Sequence, residues 1–237
     1  MTATAPADDR LRLGIVVPAL DTAERIGATL TALRDTGPRI ATDLLVVDGG
    51  SHDATMATAQ LAGARVIAAP RGRGSQLAAG AAAVTGDWLL FVHADTVLQA
   101  GWADAVAAFA ADPANAERAG YFRFALDDDS AAARRLERRV AWRCRRFGLP
   151  YGDQGLLVAR RRYDAVDGFK PLPLMEDVDL VRRLGRDRMA ALPVAAVTSA
   201  ARFRRSGYTR RSLRNLACLA LYVAGVPPRA IVRLYGR

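Results

Sequence analysis

Four short runs of unbroken apolar residues constrain this chain more than any other feature: LGIVV at 13–17, LLVV at 44–47, VIA at 66–68 and LLFV at 89–92. Such runs are too short for buried helices and lack the alternation of a half-exposed strand, so all four read as strands, and those at 13–17, 44–47 and 89–92 as strands covered on both faces, as in a parallel sheet. Stretches of helical character separate them. This alternation of strand and helix calls for an α/β fold with right-handed crossovers. Polarity returns at the carboxyl ends of the runs, at Asp48 and at His93 and Asp95. Ligands bind at that edge in open α/β sheets, because the loops leaving the strands open a crevice that no helix covers.

The remaining elements follow from this frame. The first strand is expected to end at Pro18, which cannot continue a central ladder. Asp21 with Glu24 has capping-box spacing for a helix that carries Ile26, Leu30 and Leu33 and runs to about Arg34. The turn DGGSHD at 48–53 leads into an alanine-rich helix over about 54–62, and the basic glycine loop PRGRGSQ at 70–76 leads into a helix ending at Ala83. Further on come a helix over about 101–110, a strand at 120–126, a very basic helix at 130–146, a strand at 156–160 and a short helix from Met175. From Arg202 the tail interleaves arginine with leucine and tyrosine. It suits either a helix laid over the back of the sheet, the favoured expectation, or an amphipathic patch facing lipid phosphates. Residues 1–12 are expected to be a disordered leader and 13–237 a single domain, with the tail at about 208–237.

With 237 residues, 51% of them apolar, the chain can bury a full core. Its net charge of +10 rests almost wholly on arginine, Lys170 being the single lysine. That balance attracts phosphates, nucleic acid or an anionic membrane surface without choosing among them. Aromatic residues are few and no nucleic-acid module is recognisable, so no nucleic-acid partner is expected. Cys144 and Cys218 lie far apart without metal spacing, which makes a reducing cytoplasm the simplest setting. The opening MTATAPADDR has no apolar core of a secretory signal, and the apolar run at 216–226 is too short to span a bilayer. A cytoplasmic protein is expected, with any membrane contact peripheral, at the inner face and through the basic tail.

Several polar groups are candidates for chemistry, each with a plainer reading. His93 and Asp95 would point the same way from an extended backbone and suit a hard or borderline cation, or Asp95 merely caps a turn. Asp48 and Asp53 flank Gly49 and Gly50, where a carboxylate can accept from a nucleobase N–H or a ribose hydroxyl and glycines let a ligand approach; Asp53 equally suits a helix cap. The loop from Arg71 and Gly72 to Ser75 favours phosphate oxygens, or is a solvated basic turn, and its glycines do not fit a dinucleotide fingerprint. Glu176, Asp177 and Asp179 open a helix, where acids need no function. With Asp48 and Asp95 upstream, a carboxylate there is also the general base that displacement at a sugar carbon requires. Asp153 and Gln154 contact donor or acceptor, or form a tight turn.

Taken in order, IVVPALDTAERI, VVDGGSHDAT, RGRGSQLAAGAAAVTGDWLLFVHADT, GDQG and LMEDVDL resemble the family 2 glycosyltransferases of GT-A fold, and among them the small single-domain members. The resemblance runs from about Leu13 to the end of the chain. It implies a GT-A-like α/β fold, with a mostly parallel central sheet, helices on both faces, a Rossmann-like nucleotide-binding half and an acceptor half. It also implies an enzyme that moves a sugar from a nucleoside-diphosphate donor to an acceptor hydroxyl, with inversion. On that pattern Asp48 holds the nucleobase, and Pro18, Gly49, Ser51, Asp53, Arg71, Gly72, Gln76, Asp153 and Gln154 line the substrate site. Asp95, with His93 beside it, is the metal-binding acid of the DxD motif, holding Mg²⁺ or Mn²⁺ as a Lewis acid against the diphosphate. Asp177 is the general base and Glu176 supports it.

Two positions depart from the family pattern. His93 stands where the first acid of DxD usually lies, and Asp21-Thr22 stands where many relatives have Asn-Glu. Two other readings stay open at this stage: a non-catalytic basic protein for anionic lipid or RNA, and a nucleotidyltransferase on a related sheet. The latter would carry its phosphate loop after the first strand, whereas here the loop follows the third.

Overall fold

The computed structural model describes residues 9–235. Its first half alternates β1 (Leu11–Ala19), α1 (Ala23–Arg34), β2 (Ile40–Asp48), α2 (Thr55–Leu61), β3 (Arg65–Ala68), α3 (Arg73–Ala83) and β4 (Trp88–Phe91). These four strands pair in parallel in the spatial order β3, β2, β1, β4. The second half adds β5 (Thr96–Leu98), α4 (Trp102–Ala111), β6 (Ala119–Leu126), α5 (Ala131–Phe147), β7 (Leu156–Ala159), α6 (Arg160–Ala165), α7 (Glu176–Leu184) and β8 (Met189–Thr198). A helical tail follows, α8 (Ala201–Ser206), α9 (Tyr208–Val223) and α10 (Pro228–Tyr235). The whole sheet has eight strands in the order β3-β2-β1-β4-β7-β6-β8-β5. Because β7 opposes both β4 and β6, and β5 opposes β8, six strands share one direction and two run against it. The expected mostly parallel α/β fold is the one this chain adopts.

Both faces of the sheet are buried along β1 and β4 and the second half of β2, whereas the edge strand β3 is only partly covered. Along β1, Ile15 and Val17 join one core with Ile26, Leu30, Trp102 and Val106, whereas Val16 joins the opposite core with Leu77 and Leu180. Leu90 and Leu89 of β4 divide in the same way. On the second face α3 lies so close that a Cβ added at Gly80 would fall 2.3 Å from Val16 Cγ1 and 2.9 Å from Val47 Cγ2.

Some local expectations fail for physical reasons. The first strand begins at Leu11 and continues through Pro18 to Ala19. The ladder between β1 and β4 closes at Val16 and Phe91, where Val92 N–H donates to Val16 O, so the N–H that Pro18 lacks would face a side without a partner strand. The capping box at Asp21 and Glu24 does not form. Asp21 takes a left-handed φ of 48° and its carboxylate accepts from His52 N–H, while Ala23 N–H donates to Asp53. Two strands were not foreseen. β5 is very short, and β8 is rich in alanine and carries Pro193, which falls in an irregularity of the β6 and β8 register. Of the leader, residues 1–8 lie outside the described residues, and Leu11 and Arg12 belong to β1. Among the described residues no helix is long and apolar enough to cross a membrane.

Alanine is the better helix former by about 1 kcal/mol. Gly80→Ala is nevertheless expected to destabilise the protein by about 1–3 kcal/mol, because the buried valines beneath it have no room to yield. Urea unfolding of the variant beside the wild type measures this. A raised midpoint would show that α3 can lift off the sheet without cost.

Candidate active site

The carboxyl ends of β1, β2 and β4 share one edge of the sheet, and strand order reverses between β1 and β4, which is where such sheets open a ligand crevice. β7 opposes β4 with Leu156 across from Phe91, so the turn that enters β7 reaches the same edge. Asp48, His93, Asp95 and the segment from Tyr151 to Gln154 therefore share a rim. Asp48 lies two strands from β4, about 10 Å at ordinary strand spacing.

The loops after β1 and β2 are laced together by their own polar groups. Asp48 is buried, and its Oδ2 accepts from Gly50 N–H and Ser51 N–H, both at 2.9 Å, while Ser51 Oγ–H donates to Oδ1. Asp53 accepts from Thr55 N–H at the start of α2 and from Ala23 N–H at the start of α1. Its carboxylate is occupied as a cap, the plainer of its two readings. Gln76 is also turned inward: its amide N–H groups donate to Ala19 O and Val47 O, both at 2.8 Å, and its side chain packs on Gly49. It joins the ends of β1 and β2 to α3. Pro18 is buried in β1, whereas Arg71 is exposed at the mouth of the loop and Gly72 precedes α3.

Asp177 is the point where three elements meet. Its Oδ2 accepts from Gly152 N–H at 2.8 Å, in the 3-10 turn Gly152–Gln154 before β7, and its Oδ1 accepts from Val178 N–H at 2.8 Å. A Cβ at Gly152 would come within 2.6 Å of His93 Nε2 and 3.4 Å of Asp177 Oδ2, so only glycine lets these two side chains close around the turn. Just before α7, Met175 adopts a left-handed φ of 65°, a sparsely populated conformation for its residue type, and turns Glu176 and Asp177 into the rim. Glu176 is buried, with Arg73 Nε 2.6 Å from its Oε1. Arg73, whose guanidinium in the RGRGS loop was expected to favour phosphate oxygens, is instead paired with this carboxylate.

Gln154 does not face the crevice. It is buried, donates to Phe122 O at 3.1 Å, and accepts from Arg143 and Tyr151 N–H at 3.3 Å, which fixes the turn rather than a ligand. Asp153, beside it, does the opposite: its Oδ1 is buried without a hydrogen-bond partner. Burial pushes the Asp153 carboxyl up to about 6; Arg143 and Arg73 act against the rise, and the charges of Asp177 and Asp95 add to it. Asp95, Asp153 and Asp177 thus lie within electrostatic reach of one another.

His93 and Asp95 sit on a tight turn closed by Thr96 N–H on His93 O, not on the extended backbone expected, yet both stay partly exposed while Ala94 and Thr96 between and after them are buried. The Asp95 carboxylate, with the orphaned oxygen of Asp153 nearby, fits Mg²⁺ or Mn²⁺ in donor chemistry, and the His93 imidazole beside it favours the transition ion of the two. Among the described residues no three His, Cys, Asp or Glu converge on a ready-made cage. An ion here would complete its shell from phosphate oxygens and water.

The tail does not cover the back of the sheet as expected. Cys218 of α9 and Ile231 of α10 pack on Leu174, Met175 and Val178, at the start of α7 beside Asp177, and Tyr222 O–H donates to Asp179 at 3.1 Å.

A parallel first half, a mixed second half and a rim of acids between them are the architecture of a GT-A glycosyltransferase, and the chain belongs to glycosyl transferase family 2, whose sequence profile matches residues 14–166. Glucosyl-3-phosphoglycerate synthase of Mycolicibacterium paratuberculosis is 32% identical over 94 residues, which cover 36% of this chain and 29% of that protein. The chain thus spans under a third of the length of the curated relatives it matches. Among solved structures, glucosyl-3-phosphoglycerate synthase from Mycobacterium tuberculosis, in complex with Mn²⁺, UDP and glucosyl-3-phosphoglycerate, superposes with a TM-score of 0.59 at 19% identity over 92% of this chain and 81% of that one. A mannosyltransferase from Pyrobaculum calidifontis, in complex with GDP-Man and Mn²⁺, gives a TM-score of 0.61 at 17% identity over 88% and 61% of the two chains. These likenesses are of fold.

Because folding raises the Asp153 pKa, its carboxyl favours the native state below about pH 4 and loses that contribution as pH rises towards about 6. Asp153→Asn is therefore expected to raise the melting temperature at pH 8, by up to about 3 kcal/mol of stability, and to change it little near pH 3. Melting curves of both proteins at the two pH values test this, and an equal effect at both would show that the carboxyl is not held neutral by the fold.

Proposed function

We propose that this glycosyltransferase moves a sugar from a nucleoside-diphosphate donor to an acceptor hydroxyl by a single inverting displacement. The observation that carries the reading is the placing of Asp177. Two backbone N–H groups, one from its own helix and one from the turn entering β7, hold its carboxylate at the glycine turn that also meets His93, just past the end of β4. A carboxylate fixed in this way loses little freedom on reaction and can take the proton of an incoming hydroxyl as it attacks the anomeric carbon. Glu176, buried against Arg73, holds the helix start behind it.

On this reading Asp95 and His93 hold Mg²⁺ or Mn²⁺, which when bound offsets the charge of the departing diphosphate. Asp48, with Gly49 and Ser51, forms the floor for the nucleoside, and Arg71 and Gly72 lie on the diphosphate side. Asp153 faces the sugar or acceptor. UDP and GDP-Man, each with Mn²⁺, in the structural neighbours support a nucleotide-sugar donor and a divalent ion for this chain too. We place the reaction in the cytoplasm, in keeping with two buried, unbridged cysteines, with the arginine-rich tail against the inner membrane face. Family membership leaves the non-catalytic and nucleotidyltransferase readings without support.

Asp177→Asn is expected to reduce transfer by about 10²-fold or more while donor binding, read by thermal shift against a panel of nucleotide sugars, persists. A fully active variant would remove Asp177 from the role of base. Asp95→Ala is expected to abolish the Mn²⁺-dependent part of nucleoside-diphosphate binding. Unchanged calorimetric titrations with and without Mn²⁺ would count against its role as ligand.

A further inference from the structure

A large apolar concavity lies outside the parallel first half of the molecule. A groove of about 630 Å³ runs between α5 and α9, within the range of about 300–1,000 Å³ usual for small-molecule sites. Its floor includes Leu136, Val140 and Leu219, and one end reaches Tyr151 and Asp153, the turn that holds Asp177. At its mouth Trp142, Leu213 and Leu216 are more than half exposed, an unusual concentration of large apolar side chains on a chain with a net charge of +10. The same mouth is ringed with cationic charge: Arg135, Arg138 and Arg139 surround Trp142 and line a shallow depression beside it.

We infer that this groove is the acceptor site and that the acceptor is an amphiphile drawn from an anionic lipid surface, with a hydroxyl-bearing head at Asp153 and an apolar chain laid between α5 and α9. The inference rests on the transferase reading above and names its acceptor class. An apolar trough with a polar catalytic end accepts a molecule of matching polarity, hydroxyl inward and chain outward. The arginines at the outer end complement the phosphates of the surface that supplies it, while Trp142 and the leucines enter its apolar layer. A small, fully polar acceptor would leave the groove without use and the exposed leucines without a partner.

Trp142 reports directly on the groove, because the chain's other two tryptophans, Trp88 and Trp102, are buried at 8% and 2% exposure. Octyl glucoside below its micellar concentration is expected to shift the emission to the blue, methyl glucoside is not, and Trp142→Phe should abolish the signal. Leu213→Glu with Leu216→Glu should weaken the octyl response at least roughly tenfold, about 1.4 kcal/mol. Wild type should also sediment with vesicles containing phosphatidylglycerol and not with pure phosphatidylcholine. The inference is overturned if the two glucosides act alike, if the double variant responds as wild type, or if only vesicles and never monomeric amphiphile bind. An emission already blue that turns red on dilution would assign the groove to a second copy of the chain, and would equally overturn it. The thermal shift with nucleotide sugars and Mn²⁺ must survive in the double variant. Loss of that shift in wild type would instead remove the transferase reading itself.

Discussion

One ion pair, Arg73 with the buried Glu176, ties the parallel first half of this molecule to its mixed second half. Arg73 is the first residue of α3 and Glu176 the first of α7, so the pair sets two helix starts side by side. Burial works against the charge of Arg73, but Glu176 and Asp177 outweigh it and hold the guanidinium firmly protonated. Such pairs contribute little net stability, since desolvation offsets attraction. Removing one partner leaves a buried charge at a cost of about 3–5 kcal/mol. The pair thereby fixes register between the halves, and backbone packing adds to it: a Cβ on Gly74 would lie 2.3 Å from Lys170 O. Where Asp177 points follows from that register.

The acids at the rim do two kinds of work. Asp48 is satisfied by backbone N–H groups of its own turn, Asp21 and Asp53 accept from each other's loops, and Asp21 N–H in turn donates to Ser51 Oγ at 3.0 Å. These cross-links build the crevice floor before any ligand arrives, so a ligand there need not order the loops on binding. Asp95, Asp153 and Asp177 instead gather on the other side of the crevice, where mutual repulsion raises the Asp153 carboxyl further. Like charges kept close without neutralisation are costly, and a divalent cation or a shared proton relieves them.

Much of this was legible in the chain itself. The parallel half was, because strands buried on both faces need continuous apolar residues, and LLVV and LLFV have them. The rim acids were, because polarity returns where such strands end. β8 was not: its alanines and Pro193 dilute the few β-branched residues, Val194, Val197 and Thr198, that would have signalled a strand. The roles of Gln76 and Gln154 were not, since an amide beside a glycine turn looks the same in sequence whether it faces ligand or backbone. The pairing of Arg73 with Glu176 joins residues far apart along the chain, and no local pattern encodes it. The place of the tail was hidden for a similar reason, because an amphipathic helix states which face is apolar and not what covers it.

The tail has a consequence for the chemistry. A base that deprotonates an acceptor hydroxyl can equally deprotonate water, and transfer prevails over hydrolysis only where water is kept from the anomeric carbon. Leu174, Met175 and Val178 around Asp177 are covered by Cys218 and Ile231 of the tail, and on the other flank the Arg143 guanidinium lies 3.5 Å above the Tyr151 ring, next to Asp153. Apolar cover therefore begins immediately beside Asp153 and Asp177 and continues outward between α5 and α9. The donor side of the rim, by contrast, is built of aspartates, glycines and arginines. On the proposed reading, displacement across that boundary would have its nucleotide leaving group in the polar half and its nucleophile in the apolar half, so that one division of the molecule would also separate the two substrates.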